Sequence, residues 1–228
     1  AATMVGRSEY AKMSLNTALA RVDDDIQAIL NNDEEVDRDF VVWDLQQMVK
    51  AAAQMEDQQT AEQMLGSILE RLAEPLEAVS QRRVLESVVE AIEPWEEDAA
   101  TRAFLGVHQT IESMGQSLNV DADDLSQSLV VDDLKDLQVA IASTAASFDD
   151  DTQAIVLLEA LQNSQALTAP VARAEVLMAI ALAYDELGNS QQANAALTNA
   201  IQLAKAETAD DWQRLQILGQ SIIAADKL

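Results

Sequence analysis

Carboxylates are the residues of this 228-residue chain best supplied for chemistry: it has 40 acidic side chains, 14 basic ones, a single histidine and no cysteine. Three aspartate runs, at 23–25, 121–124 and 149–151, present oxygen ligands of the kind a hard cation takes. Calcium needs six to eight oxygens held by a loop of defined shape, and the Asp121 run lacks the central glycine and distal glutamate of the helix-loop-helix calcium motif. Asp149 to Asp151 stand at an expected turn between helices, where acids cap the next helix more often than they bind metal. Glu86 and Glu90, four apart on one helix face, have the residue types of a glycoside hydrolase pair or a di-iron bundle. A di-iron site wants Glu-x-x-His on two helices, which one histidine cannot supply, and in so acidic a chain such pairs arise by chance. His108 lies within the pattern Phe104, Leu105, Val107, Ile111, a packing or helix-edge setting. Thiolate chemistry is excluded, and the six isolated glycines form no phosphate loop or dinucleotide fingerprint. The expectation is a protein that is not an enzyme, with no catalytic residue, no metal and no cofactor.

The net charge of −26 bounds the partners. A field of that sign repels phosphate backbones and anionic lipid headgroups, so nucleic acid and membrane surfaces are not expected partners. Basic or amphipathic protein segments are. No apolar run reaches the roughly 18 to 20 residues that span a bilayer, and no signal-peptide pattern is seen. The opening Ala1-Ala2-Thr3-Met4 fits a processed end, a truncation point or a cloning remnant equally. Absence of cysteine leans toward a bacterial periplasmic or extracellular setting without fixing it.

The elements that must position any site read as helices throughout. Ala, Leu, Gln and Glu dominate, and only three prolines and six glycines punctuate the chain. The β-branched runs Val41-Val42, Val130-Val131 and Ile222-Ile223 never alternate over a strand's length, so no sheet is expected. Residues 7–31 carry Met13, Ala20, Ile26 and Leu30 at helical spacing, with a break expected near Asp23-Asp24-Asp25. Asn31-Asn32-Asp33 is a turn cluster, Pro75 and Pro94 mark joints, and Pro170 reads as a first-turn proline. Between Gly115 and Asp133 the packing pattern lapses, giving a loop with a short helix at 125–130 or a boundary between two lobes.

One spacing recurs. Leu177, Ile180, Ala181, Tyr184, Gly188, Ala193, Leu197 and Ala200 fall where two short antiparallel helices must touch, with a glycine at the turn. The same register holds for Leu45, Met48, Val49, Ala52 and Met55 followed by Ala61, Leu65 and Ile68. It holds again for Leu85, Val88, Val89, Ile92 and Trp95, then, after about two inserted residues, Ala103, Val107 and Ile111. Gln138, Ile141, Ala142, Ala145 and Phe148 with Ala154, Leu158 and Leu161 make a fourth set, and Leu215, Leu218, Gly219 and Ile222 a lone first helix. This pattern resembles the tetratricopeptide repeat, although Lys205 stands where the family has proline and the spacing of the starts exceeds the family's roughly 34 residues.

The resemblance implies an all-α chain, an α-solenoid of about four hairpins. An N-terminal helical extension (1–40) would precede hairpins over 41–114, an acidic loop or short helix over 115–133, and further hairpins with a capping helix over 134–228. It implies a protein- or peptide-binding adaptor or scaffold whose concave groove is lined by first helices. The residues so placed are Trp43, Gln46 and Lys50, then Arg83, Glu86, Glu90 and Glu93, then Val139 and Ser143, then Glu175, Met178 and Leu182. Family members that grip a C-terminal carboxylate use cations on these faces, and Glu86 and Glu90 argue against that mode. A basic or amphipathic peptide suits the acidic lining. Trp43 is either a groove anchor or a packing residue against the N-terminal helices, while Trp95, Phe148 and Trp212 are expected to pack or cap. An irregular helical bundle is the rival fold. The rival functions are a structural or self-assembling helical component and a carbohydrate-active or metal-dependent enzyme with an acidic pocket.

Overall fold

The computed structural model describes residues 2–31, 37–55, 57–72, 78–117, 125–205 and 211–228. The described residues form ten α-helices and no strand: α1 (Ala2–Leu30), α2 (Arg38–Ala53), α3 (Gln58–Arg71), α4 (Ala78–Ile92), α5 (Glu97–Ser117), α6 (Leu125–Ala146), α7 (Asp151–Gln162), α8 (Pro170–Glu186), α9 (Ser190–Leu203) and α10 (Asp211–Ala225). They divide into two compact units, Ala1–Thr110 and Ile111–Leu228, the division falling inside α5.

In the first unit α1 runs unbroken through Asp23-Asp24-Asp25, where a break was expected. The interior stripe is Leu15, Leu19, Val22, Ile26 and Ile29, alternating steps of four and three, while Met13 and Ala20 of the expected stripe are exposed; Leu30's side chain lies outside the described residues. The aspartates are tolerated because Asp23 takes a two-pronged ion pair from Arg71 of α3, at 2.6 and 2.8 Å, on the outer edge of that stripe. Asp37 caps α2 by accepting from the Asp39 amide at 3.0 Å. Gln81 of α4 donates to the Leu72 carbonyl at 2.6 Å, satisfying one of the open carbonyls at the end of α3. α2 packs on α1, α3 and α4. Pro94 sits in the joint between α4 and α5 as expected, and Pro75 lies outside the described residues.

In the second unit the first two turns of α6 occupy the stretch read as a short helix or loop. Leu125–Ala146 is one helix, carried through Asp132 and Asp133 by the buried Val130, Val131, Leu134 and Leu137. The Asp121 run lies outside the described residues. Asp150 caps α7, accepting from the Thr152 amide at 2.8 Å, so the 149–151 run does the work of a cap. Pro170 opens α8 at its first turn. α6 packs on α7 and α8, α8 on α7 and α9, and α10 on α8 and α9.

The turn after α8 follows from its glycine. Gly188 has φ +71° and donates to the Asp185 carbonyl at 2.8 Å, while Asn189 donates to that of Tyr184 at 2.8 Å, the paired closure of a Schellman cap. Asn189 then caps α9 through its side chain, so the two helices are joined by three residues, Leu187, Gly188 and Asn189. Across the four two-helix sets the shared register is largely interior: Leu45, Leu65, Leu85, Val107, Ile141, Leu158, Ile180 and Ala193 are each at most 1% exposed.

Tyr184, fully buried in the last turn of α8, has a hydroxyl with no hydrogen-bond partner in the protein. Burial, with a smaller contribution from Glu159, pushes its ionisation up to about 12. The tyrosinate is thus disfavoured in the folded state. Stability is held below pH 10 and lost as pH rises from 10 through 12, by roughly 2.5 kcal/mol in all. Tyr184→Phe should abolish this alkaline loss and gain about 1 kcal/mol at neutral pH by removing an unpartnered hydroxyl. Urea unfolding followed by circular dichroism at pH 7 and pH 11 measures both, and equal losses in the two proteins at pH 11 would refute the assignment.

Candidate functional site

On the first unit, α2 and α4 lie side by side and carry six of the residues expected to line a groove, with a seventh, Glu93, in the turn just after α4. Gln46 is half-buried between them, donating from Nε2 to the Arg83 carbonyl at 3.0 Å and to Ser87 Oγ at 3.1 Å. Arg83 is exposed and pairs with Asp39 at 3.2 Å; Glu86 is half-buried and pairs with Arg82 at 2.7 Å. Lys50, Glu90 and Glu93 are exposed. Trp43 is 52% exposed and tilted against Phe40, ring centroids 5.8 Å apart. The face is therefore an aromatic pair with carboxylates and two arginines beside it, and Gln46 serves to hold α2 to α4.

A second feature of this unit adjoins the aromatic pair. Arg21 of α1 lies 5.9 Å from the Phe40 ring centroid, within cation–π reach, and also lines an open groove of about 740 Å³ between α1 and α2. Tyr10, Leu15 and Ala18 of α1 face Met48 and Ala51 of α2 across it, with Asp44 at the rim. The walls are mostly apolar and the rim is charged, the composition of a peptide- or ligand-binding cleft. Phe40, Tyr10 and Arg21 escaped the sequence reading. Phe40 stands three residues before Trp43, a detectable spacing, but Tyr10, Ser14, Thr17, Ala18 and Arg21 mix small, polar and aromatic types and leave no apolar periodicity to find.

The second unit carries the other five expected groove residues on α6 and α8. Val139 and Leu182 are half-buried and Ser143 is exposed. Glu175 joins three helices, accepting from Lys135 of α6 at 3.0 Å and Gln220 of α10 at 2.7 Å. Burial opposes the Lys135 charge, but the carboxylates of Glu175 and Asp136 outweigh it and raise the lysine above its ordinary value. Met178 is 6% exposed with its sulfur 3.7 Å from Ser221 Oγ of α10, so it belongs to the α8–α10 contact and not to an open lining.

His108 is half-buried on α5. Trp95 and Phe148 are half-buried beside turns, whereas Trp212 is 73% exposed and neither packs nor caps. Among the described residues no group of three or more His, Asp or Glu side chains is placed to hold a metal ion, and no helix is long and apolar enough to cross a membrane. The polar cleft of about 430 Å³ between α3 and α5 has the two-pronged Arg102–Glu62 pair, at 2.8 and 2.9 Å, in its wall. The arrangement offers apolar and aromatic contact with an acidic surround. No protein-family model matches the chain and no curated protein matches it in sequence.

Proposed function

We propose that this chain is a non-catalytic peptide-binding protein of tetratricopeptide-like build, taking a basic or amphipathic segment at the Trp43 surface of its first unit. The observation that carries the reading is Trp43 itself, half exposed, tilted against Phe40 and standing beside an open apolar groove. Large aromatic side chains held rigidly at a surface are the usual anchors of binding energy. The partner's charge follows from the surroundings: the first unit holds 22 acidic and nine basic residues, Asp44 follows Trp43 in α2, and Glu86, Glu90 and Glu93 stand on or just after the neighbouring α4. A cationic segment gains from that field and an anionic one is repelled. The solenoid reading is supported by the shared interior register of the four helical pairs and by first helices lying against first helices within each unit.

The test is a fluorescence titration of the purified chain with cationic amphipathic helical peptides and their charge-reversed counterparts. Cationic peptides should bind, weakening as salt rises. Trp43→Ala should weaken binding about 30-fold, the cost of losing an anchor worth roughly 2 kcal/mol, with helicity unchanged because the side chain is half exposed. Equal binding by Trp43→Ala, or preference for the anionic peptides, would overturn the proposal.

A further inference from the structure

The outer face of α10 breaks the rule that governs the rest of the register. On α8, which α6, α7, α9 and α10 pack around, Leu177, Ile180, Ala181 and Tyr184 are all buried. Their counterparts on α10 are Leu215, Leu218, Gly219 and Ile222, and every one is exposed, Leu215 at 67% and Ile222 at 71%. At 100° per residue these four and Trp212 fall on one side of the helix, opposite Ile217, Ser221 and Ala224, which make the contacts with α8 and α9. A helix that closes a repeat array carries a polar outer face. This one carries an apolar stripe.

Two further observations say what covers it. α10 holds one acidic and one basic residue, Asp211 and Arg214, which pair with each other at 3.5 Å, so in a chain of net charge −26 this face is uncharged. It offers no countercharge to a basic segment and nothing to repel an identical face. Gly219 lies in the middle of the stripe, and a Cβ there would meet nothing within 4 Å, so no contact inside the protomer calls for glycine. Glycine weakens a helix interior and is suited to close approach of another backbone. We propose that the α10 face is covered by the α10 face of a second copy, the two helices crossing at Gly219 about a two-fold axis. Trp212, Leu215, Leu218, Ile222 and Ile223 offer roughly 600 Å² of apolar surface per copy, and the pair would bury about 1,200 Å², the lower limit of specific interfaces. The dimer is accordingly a reversible one, and screening of the chains' mutual repulsion makes it tighten as salt rises.

Sedimentation velocity of the full chain from about 1 to about 100 µM spans the range in which so small an interface associates. The mass should climb from 24.7 kDa toward twice that value, further at higher salt. Leu215→Asp and Ile222→Asp, each on the exposed face, should stay monomeric throughout with unchanged helicity. Because the chain has no cysteine, Gly219→Cys supplies a single thiol at the crossing point and should form a disulfide-linked dimer on oxidation, whereas Gln191→Cys on α9 should not. A wild-type chain that remains monomeric at every concentration and salt overturns the proposal, leaving the stripe to a different partner. Dimerisation that survives both aspartate variants overturns it too, by placing the interface elsewhere.

Discussion

Gly115→Ala should cost the second unit about 3 kcal/mol or more, although replacing glycine by alanine inside a helix ordinarily gains up to about 1 kcal/mol. The reversal comes from what lies opposite. A Cβ at position 115 would stand inside van der Waals contact of the Ala166 carbonyl oxygen and Cα, and 2.7 Å from its carbonyl carbon. These are backbone atoms of the segment joining α7 to α8, so no side chain can swing away to relieve the clash. That segment is itself held, with Ala166 and Leu167 buried and Arg173 donating to the Leu161 carbonyl at 3.4 Å and to that of Gln162. Burial lowers the Arg173 guanidinium from its usual value, partly offset by Glu112, and its charge sits favourably against the last carbonyls of α7. Gly66 of α3 is the internal control, since a Cβ there meets nothing within 4 Å. Gly66→Ala should stabilise the chain by about 0.5–1 kcal/mol through helix propensity and a less free unfolded state. Urea unfolding of the two variants measures both signs, and hydrogen exchange should localise the Gly115→Ala loss to residues 111–228. A neutral Gly115→Ala would mean that α5 and the 163–169 segment do not meet as described.

The helices were legible in the sequence wherever local rules and tertiary contacts agree. Leu177, Ile180, Ala181 and Tyr184 are interior because steps of three and four put them on one side of α8, and Gly188 was legible as a turn because only a residue free to adopt positive φ ends the helix that way. The reading failed where a distant partner decides. Asp23-Asp24-Asp25 looks like a break until Arg71, 48 residues on, neutralises Asp23. Met178 sits at a position where a first helix could face a groove, and α10 covers it. Trp212 has the look of a packing residue, yet helix α10 turns it outward. Gly115 carried no signal at all, because its requirement is set by Ala166, which periodicity cannot place. The aromatic part of the candidate surface was half legible: Trp43 by its register, Phe40 and the α1 wall not, since a groove between two helices is a property of their packing and not of either sequence. Trp43 accordingly satisfies neither sequence expectation alone, being exposed and also in contact with Phe40, whose ring Arg21 of α1 approaches.

The same α7–α8 segment sets the second large effect, because one carboxylate gathers its donors. Glu112, in the part of α5 that belongs to the second unit, accepts from the Ser164 hydroxyl, from the Gln165 amide at 2.9 and 3.1 Å, and from the Ala166 amide at 3.3 Å. Successive donors on one anion form a nest filled by the chain's own side chain. Behind it, Gln138 of α6, fully buried, donates to Ser164 Oγ at 3.0 Å, so the carboxylate organises a polar chain running into the interior. Glu112→Ala should therefore cost about 3 kcal/mol, since it removes the charge-assisted bonds and leaves the Ser164 hydroxyl without its acceptor, while the Ala166 amide keeps Ser164 Oγ at 3.3 Å. Glu112→Gln keeps an acceptor oxygen and should cost about half as much. Ser164→Ala should cost about 1–2 kcal/mol, stranding the buried Gln138 amide. Because Glu112 and Ser164 share one bond, the double variant should fall short of the summed single losses by about 1–2 kcal/mol. Strict additivity in urea unfolding would separate the two residues and leave Gly115 alone to account for the fixed position of the segment. With the expected coupling, the close approach at Gly115 and the nest at Glu112 act on the same segment and meet at Ala166, one by shape and the other by charge. Neither alone fixes the segment: a glycine permits approach without enforcing it, and a carboxylate attracts donors without setting the distance at which two backbones stop.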